Sequence, residues 1–68
     1  MKSNWIIKTD EANFNKVLEL LKKRKIKINT ELNLISVLTV NTTEAIAKKL
    51  RKLDGVIAVE EEGVVKII

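Results

Sequence analysis

The spacing of apolar residues switches repeatedly between a strand-like and a helix-like period along 68 residues, and that alternation leaves few folds open. Trp5-Ile6-Ile7 is a short apolar run that predicts a strand over about Asn4 to Lys8. Thr9-Asp10-Glu11 then offers a helix cap and an acid suited to a first turn, and Phe14, Val17, Leu18 and Leu21 recur at i, i+3, i+4, i+7. A first helix is expected from about Glu11 to Arg24. The period then shortens: Ile26 and Ile28 alternate with Lys25 and Lys27, as in a half-exposed edge strand whose lysines discourage pairing with another chain.

Asn29 to Asn33 is polar and turn-prone apart from Leu32, and Leu34 to Val40 is nearly continuously apolar, which predicts a hairpin with its second strand inside the sheet. Asn41-Thr42-Thr43-Glu44 reads as a capping box with Asn41 as the cap. Asn41-Thr42-Thr43 is also a glycosylation sequon, but no export signal precedes it and the cap is preferred. Ile46, Leu50 and Leu53 form a helical stripe that stops at Asp54-Gly55, so a second helix is expected from about Thr42 to Leu53. Val56 to Val59 follows as a strand, then the acidic break Glu60-Glu61-Glu62, then the apolar ending Val64 to Ile68.

The resulting order, β-α-β-β-α-β, predicts one α+β domain over residues 1–68: a ferredoxin-like sandwich with a four-stranded antiparallel sheet and two helices on one face. Strands one and three belong in the centre, two and four at the edges. The other sheet face has no element to cover it, and apolar side chains there make it a candidate contact surface for a partner or a second copy.

Residue types narrow the function further. The chain has no cysteine and no histidine, so it lacks thiolate chemistry, the commonest metal ligand and a neutral-pH proton carrier. A metallochaperone of this shape needs a Cys-x-x-Cys; an acylphosphatase-like enzyme needs an arginine-bearing phosphate loop where Lys8-Thr9-Asp10-Glu11 stands; an RNA-recognition sheet needs several aromatics where only Trp5 and Phe14 exist. Ser3 and Ser36 have no histidine to activate them. Neither an enzyme nor a bound cofactor is expected. The net charge of +4 collects in Lys22-Lys23-Arg24-Lys25 and Lys48-Lys49-Arg51-Lys52, at the ends of the two predicted helices, where cations complement the macrodipole; this placement argues against a nucleic-acid footprint. No stretch is long enough for a membrane span and the N-terminus lacks a secretory signal, so the default expectation is cytoplasmic.

Two features stay open on residues alone. Alternation along a strand sends Glu60 and Glu62 to one face and Glu61 to the other, which fits a solvated edge or a docking role better than a metal or acid–base pair. Trp5 is either a half-buried strand residue at the sheet margin or an interface anchor.

Asp54-Gly55-Val56-Ile57-Ala58-Val59-Glu60-Glu61-Glu62 resembles the D-x-x-V-x-x-V-E-E-D/E signature that closes helix two and forms strand four in the propeptides of subtilisin-like serine proteases and in the free-standing inhibitors of the peptidase inhibitor I9 family. Trp5-Ile6-Ile7-Lys8 is similar to that family's opening strand, and Ser36 to Asn41 with the Ile46 and Leu50 helix is similar to its third strand and second helix. The resemblance implies a non-catalytic domain whose open sheet face rests on two helices of a subtilisin-like serine protease. It implies that Glu60, Glu61 and Glu62 face those helices' N-termini, and that Val65, Lys66, Ile67 and Ile68 enter the substrate cleft as a product-like tail. Three positions depart from the family pattern: Ile68 is β-branched, Ile67 is bulky, and the glycine between helix one and strand two is missing between Arg24 and Ile26. The alternative function is an interaction or oligomerisation module without protease inhibition, in which Val64 to Ile68 extends strand four or pairs a dimer.

Overall fold

In the computed structural model, which describes residues 1–63 and 66–68, the chain runs β1 (Lys2–Thr9), α1 (Phe14–Lys23), β2 (Lys27–Leu32), β3 (Val37–Thr43), α2 (Glu44–Leu50), β4 (Val56–Glu61) and β5 (Lys66–Ile67). The strands form one sheet in the order β2-β3-β1-β4-β5, and every described pairing is antiparallel. The expected four-stranded α+β arrangement is therefore present, with β1 and β3 inside. β5 is the addition: it pairs Ile67 with Glu60 and Lys66 with Glu61, so β4 is not an edge along its acidic end.

Period-two alternation builds the core. Trp5, Ile7 and Thr9 of β1 and Leu38, Val40 and Thr42 of β3 are buried, while Asn4, Ile6, Lys8, Val37, Thr39 and Asn41 lie on the other side. Phe14, Val17, Leu18 and Leu21 of α1 and Ala47 and Leu50 of α2 join Trp5, Ile7, Leu38, Val40, Val56 and Val59 in one cluster, which puts both helices on the same face of the sheet. Trp5 has 0% exposure, and its Nε1 donates to the Thr42 carbonyl at 3.2 Å. It is neither half-buried nor an interface anchor, because the register that pairs it with Val40 points it under the helices.

Local chemistry sets the element ends, in places differently from expectation. Asp10 caps the 3-10 turn Glu11–Asn13 that leads into α1: its Oδ1 accepts from the Asn13 backbone N–H at 2.8 Å. α1 ends in a Schellman motif, with Ile26 N–H donating to the Leu21 carbonyl and Lys25 N–H to the Lys22 carbonyl. The left-handed position falls on Lys25 at φ 57, so a lysine occupies the place of the absent glycine.

The hairpin lies later than the hydropathy suggests. β2 continues through Thr30, Glu31 and Leu32, which pair with Thr39, Leu38 and Val37 after an irregularity at Asn29. The turn is Asn33–Ile35, closed by Ser36 at φ 54, and Leu34 is 101% and Ile35 65% exposed. Only alternate residues of β3 face the core, so a continuous apolar run does not extend the strand.

The cap of α2 is Thr43, whose Oγ1 accepts from Ile46 N–H at 3.3 Å, and not Asn41. Pairing of Asn41, Thr42 and Thr43 with Asn4, Ser3 and Lys2 holds the chain extended up to the cap. α2 likewise stops at Leu50, followed by turns in which Leu53 N–H donates to the Leu50 carbonyl and Val56 N–H to the Leu53 carbonyl. Gly55 is required there on two counts: its φ of 90 is one that L side chains rarely adopt, and a Cβ would collide with that of Asn13; its carbonyl also accepts from Asp10 N–H at 2.9 Å.

Candidate interaction surface

The strand register lays out the open face in rows across the sheet. The middle row is Thr30, Thr39, Ile6, Glu60 and Ile67. On one side lies Leu32, Val37, Lys8 and Ala58; on the other lie Lys27, Asn41 and Asn4. The face is therefore graded: amides and Lys27 at one end, and at the other the expected aliphatic side chains interrupted by Lys8. Ile6, Val37 and Ala58 are half-buried and Leu32 is exposed. The exposed Leu34 and Ile35 of the β2–β3 turn extend beyond Leu32 and line, with Glu31 and Asn33, a shallow concavity.

At the polar end Asn4 Oδ1 accepts from Asn29 Nδ2 at 3.0 Å and from Asn41 Nδ2 at 2.9 Å. Three asparagines from three strands thus share one acceptor. Sequence reasoning assigned Asn29 to a turn and Asn41 to a cap, and missed the cluster. The available signal was that Asn29, between Ile28 and Thr30, and Asn41, between Val40 and Thr42, stand among β-branched residues, where asparagine is disfavoured in a strand unless its amide finds a partner.

The acids separate as alternation requires. Glu60 pairs with Ile6 on the open face and Glu61 with Trp5 on the helix side, both half-buried; Glu62 is exposed in the turn after β4, its N–H donating to the Asn4 carbonyl at 2.8 Å. They do not form one patch: Glu60 alone of the three stands in the middle of the open face.

Of the tail residues, Val65 lies outside the described residues, as does Val64. Lys66 and Ile67 form β5, and Ile68 donates its N–H to the Val59 carbonyl at 2.9 Å and packs against the core cluster. Ile67, 68% exposed, adds an aliphatic side chain to the open face beside Glu60. The tail is laid back on the sheet.

The basic clusters sit where the helix ends need them. Lys22 and Lys23 occupy the last turn of α1, and Lys48 and Lys49 that of α2. Arg51 Nη1 donates to the Val56 carbonyl at 3.3 Å, tying the end of α2 to the start of β4. Lys48 also stands 3.5 Å from Glu44, an exposed i,i+4 pair of small energetic weight. Among the described residues no group of His, Cys, Asp or Glu is arranged to hold a metal ion, and no helix is long and apolar enough to cross a membrane.

The surface and fold define a small α+β domain with one open, graded sheet face. No family model matches the chain, and no match was found among curated proteins or solved structures.

Proposed function

We propose that the chain is a non-catalytic protein-binding domain that docks through its open sheet face, and that its partner is a subtilisin-like serine protease inhibited by the C-terminal residues. The observation that supports docking is the set of aliphatic side chains on that face. Leu32 adjoins Val37, Ala58 lies across Lys8 from Val37, and Ile6 lies in the next row beside Glu60, all on the side away from both helices; in this reading Glu60 is the acid that meets a helix N-terminus. The protease as partner rests on the resemblance of residues 54–62 and on the order of elements. The test is inhibition of a broad-specificity subtilisin by the full-length chain and by one ending at Val64, with Trp5 fluorescence confirming that both are folded. Inhibition by the longer chain alone is expected; equal behaviour of the two removes the tail mechanism.

A specific observation favours a second reading. Leu34 and Ile35 project from the β2–β3 turn beside Leu32, and such an exposed apolar tip suits self-association. A mass that stays monomeric across concentrations in sedimentation equilibrium would remove it.

A further inference from the structure

Of the residues that the proposed inhibitory mechanism sends into a protease cleft, Lys66, Ile67 and Ile68 are already held by β5 and the core, while Val65 lies outside the described residues. Ile67 is the Cα partner of Glu60, and Ile68 N–H donates to the Val59 carbonyl, which makes 59–68 a hydrogen-bonded pair and 60–67 the closer, non-hydrogen-bonded kind. Ile68 also packs against the cluster built around Trp5, Ile7 and Val59. A strand cannot pair with β4 and with a protease cleft by the same groups at once: the Ile68 N–H is spent on Val59, and its side chain is partly buried against the core.

We propose that β5 and Ile68 form an autoinhibitory strap, which must peel from β4 before the tail can engage a protease, so that strap opening limits inhibition. This rests on the protease reading and adds to it a step that the free chain controls. Three-residue pairing at the end of a sheet opens locally far more readily than the four longer strands, so the closed form reduces apparent affinity by the open fraction without abolishing binding. Gly63 gives an independent handle. It stands at φ 83 in the turn after β4, and among the described residues nothing lies within 4 Å of a Cβ placed there, so a side chain at this position acts on them through backbone strain.

The experiment moves the strap in both directions. The chain has no cysteine, so the variant Glu60→Cys/Ile67→Cys joins the facing 60–67 pair by a single disulfide, and its oxidised and reduced forms share one tail sequence. Inhibition of a broad-specificity subtilisin should fall at least about 10-fold on oxidation, since a locked fraction cannot open. Gly63→Val should speed association by roughly 5- to 30-fold, the factor that left-handed strain in the turn removes from the closed form. Amide hydrogen exchange at Ile68 should be protected in the wild-type chain and lose that protection in Gly63→Val. An oxidised form that inhibits as well as the reduced one overturns the strap and leaves the protease reading standing, as does an unprotected Ile68 amide in the wild-type chain. If the reduced double variant is itself inactive beside an active wild type, Gly63→Val decides, and unchanged association overturns the strap. Absence of inhibition by the wild-type chain and by Gly63→Val overturns the protease reading and the strap with it.

Discussion

The two faces of the sheet are made from alternate residues of the same strands and yet behave as different materials. On the helix side, Trp5, Ile7, Leu38, Val40 and Val59 have 0% exposure, and the one polar side-chain atom of Trp5 is paired inside the protein. On the open side, Ile6, Val37 and Ala58 share their rows with lysine, threonine and glutamate, and the next row is an asparagine cluster bonded through Asn4. The difference teaches that stability and recognition are separated by single-residue alternation: a one-residue slip of β1 would exchange the two roles. The open face is free to be tuned for a partner because the fold does not depend on it.

Substitutions at neighbouring positions can break that comparison. Ile7→Ala is expected to lower unfolding stability by about 2–5 kcal/mol, and Ile6→Ala by about 1 kcal/mol or less, in urea denaturation followed by Trp5 fluorescence. Similar losses would mean that the open face is part of the core. Gly55→Ala places a methyl against Asn13 at a left-handed position and should lose at least about 2 kcal/mol, whereas Gly63→Ala, with open space around it, should lose only the backbone-strain component, about 1–2 kcal/mol. Asn4→Ala removes the acceptor shared by Asn29 and Asn41 and should lower stability by about 0.5–1 kcal/mol, the exposed counterpart of losing a buried hydrogen bond. The smallest effect has the opposite sign: Lys25→Gly relieves the left-handed residue at the end of α1 and should raise stability by about 0.5 kcal/mol, part of the gain being offset by the freer unfolded chain.

The two sheet edges extend the same lesson. β2 is an unpaired edge, and Lys27, the exposed Lys25 and the irregularity at Asn29 blunt it against strand addition. The β4 edge is instead covered by β5 along Glu60 and Glu61. One edge is protected by side-chain charge and the other by a further strand.

Much of the core was legible along the chain. Phe14, Val17, Leu18 and Leu21 at helical spacing named the buried face of α1, since which residues share a face depends only on local backbone geometry, whereas the full burial of Trp5 emerges only once β1 has paired with β3 beneath the helices. Of the interaction surface, the separation of Glu60 from Glu61 followed from the same alternation. The asparagine cluster did not, because Asn4 meets Asn29 and Asn41 only after strands 25 and 37 residues apart have paired in one register. Leu34 and Ile35 misled for a related reason: apolar character fits a buried strand until turn geometry, here Asn33 and the left-handed Ser36, claims the residues.

By itself, then, the sequence determined the order β-α-β-β-α-β, the inward stripe of α1 and the lack of cysteine and histidine side chains, all set by residue type and short-range period. Tertiary structure decided that Thr43 rather than Asn41 caps α2, that the hairpin turns at Asn33–Ile35, and that the last residues return to β4 as β5. Each of these is a competition for the same backbone groups between a local turn or cap and a partner strand, and the outcome depends on where that strand lies once the sheet has formed.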